Sequence, residues 1–373
     1  LLSPWQLIVK WDRDIISMLI IDAHLDLAWN ALQWNRNIQH SVYTIRTGES
    51  NLSGPGRGQG TVALPEMRKG RIALCFATLL ARSTGRAIQN LDYSSPYQAY
   101  AAAQGQLAYY RALNEAGEIC LILNRKELDE HIAAWQQWEI NPSGSQPALG
   151  FVISMESADP ILLPEQLPAW KEAGIRIIGP AHYGPGRYAG GTSTELGLGF
   201  EGKQLLREMD KLDILLDLTH FSDEAFWEAL DSFSGPVLAS HNNCRALVPH
   251  QRQFDDRQIR AIISRDGAIG VSLDNWMIRP GWTRSAKDNE RVALAHVADH
   301  IDHICQLAGN SRHAAIGSDL DGGFGREQSP SDLDTIADLQ HVPEILSKRG
   351  YSDADIATVM HGNWLRLLRE AWN

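Results

Sequence analysis

The chain has 373 residues, 44% of them hydrophobic and 21% charged. This is the composition of a globular protein with a sizeable core, long enough for one large domain or two ordinary ones. The formal charge of -11 disfavours nucleic acid as a partner, because a phosphate backbone selects a basic surface.

In chain order, a short apolar stretch at 5–9 is followed at once by Asp12, Arg13 and Asp14, too short and too charged for a signal peptide. Residues 1–18 are expected to be an N-terminal extension outside the fold, and 19–373 a single domain. Leu19-Ile20-Ile21 opens the first strand, which runs into Asp22-Ala23-His24-Leu25-Asp26. His24 and Asp26 stand two apart, and residues two apart on a strand share a side. An imidazole and a carboxylate therefore leave the end of this strand together. Residues 54–60 are Gly-rich but lack the Lys-Ser/Thr of a phosphate loop, so a mobile loop is expected.

Residues 72–80 read as the second strand and 97–116 as a helix. Asn124, with Glu127 three residues on, caps another helix. The third strand, 150–156, ends in Glu156. The fourth, 175–182, ends in His182; the fifth, 212–220, in His220; the sixth, 236–241, in His241. Ser222 caps a helix over 223–232, and Asp255 and Asp256 open one that Gly267 closes. The seventh strand covers 268–273, a long helix 286–308, and the eighth strand, 314–319, ends in Asp319. Helices over 332–348 and 352–372 close the chain. No apolar run reaches the ~18–20 residues that span a bilayer. Cys75, Cys120, Cys244 and Cys305 form no CxxC pair and read as free thiols in a reducing compartment.

Eight mostly apolar strands alternating with helices predict an α/β fold with a parallel sheet buried on both faces. Eight strands fit a closed (β/α)8 TIM-type barrel, whose active site lies at the C-terminal mouth of the strands. A doubly wound open sheet is the alternative, but it would not gather side chains from strands one, three, five, six and eight at one point.

The candidates are His24, Asp26, Glu156, His182, His220, His241 and Asp319. Each alone has an ordinary reading as a loop, cap or turn residue; their common placement is the signal. His24 with Asp26 can hold one metal and His220 with His241 another, with Glu156 bridging. Each ion then has three protein ligands and an open position, as in catalytic zinc sites. Such a pair can share a water, lower its pKa and polarise a carbonyl. Asp319 remains as a proton shuttle, and His182 as a donor to the oxyanion. His296-Val297-Ala298-Asp299-His300, with His303 beyond, looks like an inverted zincin motif, but Asp stands where Glu is expected. A solvated His/Asp helix face is the expectation there.

Asp22-Ala23-His24-Leu25-Asp26, Ser154-Met155-Glu156, Asp217-Leu218-Thr219-His220, Ala239-Ser240-His241-Asn242-Asn243-Cys244-Arg245 and Ile316-Gly317-Ser318-Asp319-Leu320-Asp321-Gly322 together resemble the renal (membrane) dipeptidase family of the amidohydrolase superfamily, from about 19 to 369. The resemblance implies a (β/α)8 barrel with two zinc ions. One would be held by His24, Asp26 and Glu156, the other by Glu156, His220 and His241. Asp319 would be the catalytic acid/base, and His182 would contact substrate. Arg252, eleven residues after His241, would bind the substrate carboxylate. The activity implied is hydrolysis of dipeptides to free amino acids through a hydroxide shared by the two metals, with tolerance of a D-residue at the C-terminal position. A related binuclear amidohydrolase acting on N-acyl amino acids is the first alternative, and a non-catalytic ligand-binding barrel the second. The secretory signal and lipid anchor of the mammalian enzymes are not evident, which favours a cytoplasmic member. The partners implied are a small dipeptide, no nucleic acid and no membrane; a homodimer is the assembly to test.

Overall fold

The computed structural model describes residues 18–372 apart from 87, 143 and 290, together with all described side chains except that of 286. Nine parallel strands form one sheet: β1 Ile20–Leu25, β2 Ile72–Leu80, β3 Ile119–Leu121, β4 Leu149–Glu156, β5 Ile175–Gly179, β6 Leu215–Asp217, β7 Val237–Ala239, β8 Ala268–Val271 and β9 Ala314–Ile316. Eight of them follow one another in the order β1-β2-β4-β5-β6-β7-β8-β9, a nearly closed barrel wall with helices outside. The expected barrel is therefore present, and the open doubly wound sheet is not.

Burial explains why these segments are strands. All nine residues of β2 and all eight of β4 are buried, as a parallel sheet covered on both faces requires. β2 and β4 pair in continuous register from Leu74↔Gly150 to Leu80↔Glu156, which sets Glu156 at the mouth. β5 joins β4 only from Ile153 onward. The N-terminal half of β4 is thus free on that side, and β3 takes it, pairing Ile119↔Leu149 to Leu121↔Phe151. This ninth strand is an addition to the eight expected. Gly150 is required on β4 because a Cβ there would lie 2.5 Å from His131 Nε2, whose imidazole is bound to the Ala73 carbonyl at 2.7 Å.

The seam between the first and last strands is bridged by a side chain. Ser318 N donates to Asp22 Oδ1 at 2.8 Å, and His24 N reaches the same oxygen at 3.2 Å. The helix Asn363–Ala371 packs behind β8 and β9, with Trp364 Nε1 donating to the Ile316 carbonyl at 2.9 Å.

Local signals placed several helices closely. Asn124 accepts from Glu127 N ahead of Arg125–Ile140. Ser222 caps Asp223–Ser232, and Asp255 caps Asp256–Ser264. The expected long helix at 286–308 is instead two, Ala286–Asn289 and Leu294–Ala308, the second starting where Asp332 accepts from Leu294 N at 2.8 Å. The C-terminal segments are likewise divided into shorter turns, including a π-helical stretch Thr358–Gly362.

The Gly-rich loop is tied down rather than mobile. Gly56 N donates to Glu327 and Gly58 N to Glu49, at 2.7 and 2.8 Å. Arg36 links Glu49, Asp321 and the Gly56 carbonyl beneath it. The expected solvated face on Leu294–Ala308 is also corrected. His300 is buried, taking the Cys244 N–H on Nδ1 and facing the Ile278 carbonyl with Nε2. His303 pairs with Asp256 at 2.7 Å, so the zincin-like residues point to different partners. The four cysteines are free. No helix among the described residues is long and apolar enough to cross a membrane. Residues 1–17 of the expected extension lie outside the described residues. Met18 exchanges backbone hydrogen bonds with the Gln340 amide.

Candidate active site

The site residues sit at one end of the barrel, though not all on strands as expected. His24 and Glu156 lie within β1 and β4, and Asp26 follows β1 directly. His182, His220, His241 and Asp319 come two or three residues after β5, β6, β7 and β9 have ended. There the backbone leaves the ladder and is fixed by side chains. Asp217 Oδ1 accepts from Thr219 N, Thr219 Oγ1 and Ser240 N, at 3.0, 2.6 and 3.0 Å. His220 and Asp319 take left-handed backbone conformations, with φ of 67° and 59°, a costly state that their surroundings impose.

Glu156 is the point of convergence. Its Oε1 lies 3.2 Å from His220 Nε2 and 3.4 Å from His241 Nε2. Its Oε2 lies 3.7 Å from both His24 Nε2 and His182 Nε2. His24 Nε2 is also 3.8 Å from Asp26 Oδ1 and 4.0 Å from Asp319 Oδ1, and the Nε2 atoms of His220 and His241 approach to 3.2 Å. His24 Nε2, Asp26 Oδ1 and Glu156 Oε1 are buried without a hydrogen-bond partner. Buried polar atoms are normally satisfied, so three orphans within one cluster of potential ligands suit cations held among them. Three sets could hold a metal: His24, Glu156 and His241; Glu156, His182 and His220; and His24, Asp26 and Asp319.

Hydrogen bonds behind the imidazoles separate ligand from donor. Thr192 Oγ1 lies 3.1 Å from His220 Nδ1 and bonds the His220 carbonyl at 3.3 Å. With its own proton on that carbonyl, the hydroxyl accepts from Nδ1–H, leaving the Nε2 lone pair facing Glu156. Ser240 Oγ stands 2.9 Å from His241 Nδ1. His182 is the opposite case: its Nδ1 is 2.6 Å from Arg82 Nη1. A guanidinium can only donate, so Nδ1 is the acceptor and the proton of neutral His182 sits on Nε2. That makes Nε2 of His182 a hydrogen-bond donor rather than a ligand, although it lies in one of the three sets.

The charge states agree with this. Burial pushes His182, His220 and His241 well below the ordinary imidazole range, with Arg82 adding to the effect at His182 and Arg252 at His220. For His241, burial and then His24 act in the same direction. All three are neutral. His24 is lowered by burial, but Glu156, Asp26 and Asp319 outweigh that and raise it. Burial raises Glu156 against the pull of His24, and raises Asp319 well above the usual carboxylate range.

Asp26, Glu156, His182, His220, His241 and Asp319 line an open cleft of about 190 Å³. Arg252 lines it too, with Nη1 on Asn242 Oδ1 at 2.5 Å and Nη2 on the His241 carbonyl at 2.8 Å. Each terminal nitrogen keeps a second N–H. All eight expected residues are therefore gathered. Among the lining residues that were not anticipated, two are charged: Arg82, just after β2, and Asp274, just after β8. The strand-end rule that picked the others points to both.

The profile of the membrane dipeptidase family (peptidase family M19) matches residues 13–373. An uncharacterized protein in the pqqA 5′ region of Klebsiella pneumoniae is 31% identical over 214 residues, 55% of this chain and 76% of that protein. The dipeptidase tcpJ of Claviceps purpurea is 30% identical over 204 residues, 53% of this chain but 45% of its own length; the match spans about half of that relative. Among solved structures, the family M19 metallopeptidase dipeptidase AC superposes with a TM-score of 0.79 at 22% identity, covering 95% of this chain and 99% of the other. A metallopeptidase from Rhodobacter sphaeroides, liganded with a phosphinate mimic of the dipeptide L-Ala-D-Ala, gives 0.75 at 21% identity over 95% and 100%. At these identities the likeness establishes the barrel.

Proposed function

The chain belongs to the membrane dipeptidase family, peptidase family M19, and from that premise we propose that it is a metal-dependent dipeptidase releasing free amino acids. The observation that carries the reading is Glu156, with four imidazole Nε2 atoms between 3.2 and 3.7 Å of its two oxygens. His24, Asp26 and Glu156 would hold one divalent ion, zinc by ligand type, and Glu156, His220 and His241 the other. When bound, such a pair acidifies water and polarises the scissile carbonyl.

The protein's own groups do the rest. Arg252 receives the C-terminal carboxylate on its two free N–H groups, a charge-assisted fork that orients the peptide. His182, fixed by Arg82, donates from Nε2 to the oxygen on which charge develops. Asp319 takes the proton released by the attacking water and delivers it to the leaving nitrogen. Arg252 beside the ligand cluster favours a free carboxylate one residue from the scissile bond. The nominal parts of this reading that extend further are zinc as the native ion, a cytoplasmic location, a homodimeric assembly and a D-residue at the C-terminal position.

The test is turnover on a dipeptide panel, L- and D-configured at the second position, against N-acyl amino acids, with and without chelator. The expected result is dipeptide cleavage that chelation abolishes and zinc restores. Cleavage confined to N-acyl amino acids, or dipeptide cleavage that persists in protein stripped of metal, overturns it.

A further inference from the structure

The proposed mechanism uses three of the four carboxylates in the cleft. The fourth, Asp274, is buried, follows β8 and lines the same cleft. Its hydrogen bonds come from neutral groups: Gln328 Nε2 donates to Oδ1 at 2.8 Å, and Trp276 donates as well. A carboxylate buried among neutral donors is an expensive arrangement unless a cation completes it. Burial raises it to about 7, against the pull of the Gln328 and Trp276 hydrogen bonds and then of the Arg252 charge.

Its position within the cleft is set by two groups with assigned tasks. Asp274 follows β8, which lies in the wall between β7, whose following loop carries Arg252, and β9, which leads to Asp319, and all three residues line the cleft. In the dipeptidase reading, on which this inference rests, Arg252 holds the C-terminal carboxylate and Asp319 protonates the leaving nitrogen. Both belong to the C-terminal residue, so Asp274 flanks that residue and not the N-terminal one. Met277, one turn along the same segment, also lines the cleft and offers an apolar surface for a methylene stem.

We propose that Asp274 is the specificity-determining residue of the subsite for the leaving side chain, and that it selects a cationic one, lysine or arginine. The ammonium or guanidinium completes the Asp274 carboxylate while the stem lies along Met277. The substrate would then carry two charges on its C-terminal residue, matched by Arg252 and Asp274.

The test uses isosteric pairs, which differ in charge and little in shape. kcat/KM is measured on zinc-loaded protein for Ala-Lys against Ala-norleucine and Ala-Arg against Ala-citrulline, with Lys-Ala against norleucine-Ala as the placement control. A charged hydrogen bond in a desolvated site predicts a preference of about tenfold or more for the cationic member of the first two pairs. Asp274→Asn should collapse that ratio toward one. Equal rates within the first two pairs, or a preference confined to Lys-Ala, overturn the proposal while leaving the dipeptidase reading intact. Failure to cleave any dipeptide overturns both. Should Asp274→Asn fail to fold, the wild-type ratios alone decide.

Discussion

Arg82 gives the sharpest check on how the cleft handles the scissile carbonyl. Its Nη1 fixes Nδ1 of His182 at 2.6 Å, and its Nε pairs with Asp92 at 3.1 Å in a buried setting. Arg82→Met would leave Asp92 buried without its cation, which costs about 3–5 kcal/mol of stability and confuses the readout. Arg82→Lys keeps a positive charge beside Asp92, but a single ammonium cannot hold both partners. His182 is then free to carry its proton on Nδ1, where it cannot donate toward the substrate. Full loss of one oxyanion donor costs about 10²–10³ in kcat. Since the productive tautomer stays partly populated, the expected fall is roughly 10- to 100-fold, in kcat rather than KM. The assay is steady-state turnover of one dipeptide, with metal content and thermal midpoint measured on the same sample. A variant with full metal, an unchanged midpoint and kcat within about twofold of wild type would refute the tautomer argument.

Asp319→Asn should keep its metal content while kcat falls about 10²–10⁴-fold, the span of a lost general acid/base; an active variant sinks that assignment. Arg252→Lys exchanges a fork for a point charge and should raise KM at least about tenfold with a smaller change in kcat; an unchanged KM removes Arg252 from carboxylate binding. Glu49 supplies a pH prediction outside the cleft. Burial alone would raise it, but Arg36 and the Gly58 N–H outweigh burial and hold it below its ordinary 4.5. The unfolded chain therefore binds more protons as pH falls through this range, so the Glu49 contribution is complete above about pH 5 and is lost on acidification. Urea midpoints measured from about pH 6 down to pH 3 should fall more steeply in wild type than in Glu49→Gln. Parallel profiles would contradict it.

The barrel and the ligand cluster were readable because both rest on short-range rules. A buried parallel strand is an uninterrupted apolar run, and in a barrel every strand points its C-terminal end at the same mouth. Asn124, Ser222 and Asp255 carry their caps within three residues, so those helix starts are local. Three misses involve partners distant in sequence. β3 exists because β5 leaves half of β4 unpaired, a fact of register. The break before Leu294 depends on Asp332, and burial of His300 on the Cys244 backbone. Arg82 and Asp274 were legible by the same local rule, since each stands two or three residues past a strand end as the other site residues do.

The seam bridged by Asp22 and Ser318 joins positions 296 residues apart. The ring cannot be shut until almost the whole chain has been made. His24 and Asp26 stand on one bank of that junction and Asp319 on the other, so the cleft is complete only once the two ends of the chain have met. A chain cut short before β9 would keep most of its wall but present two raw edges in place of a catalytic mouth, inviting other chains to pair with them. Capture of metal would then serve as a report that synthesis and closure had both finished.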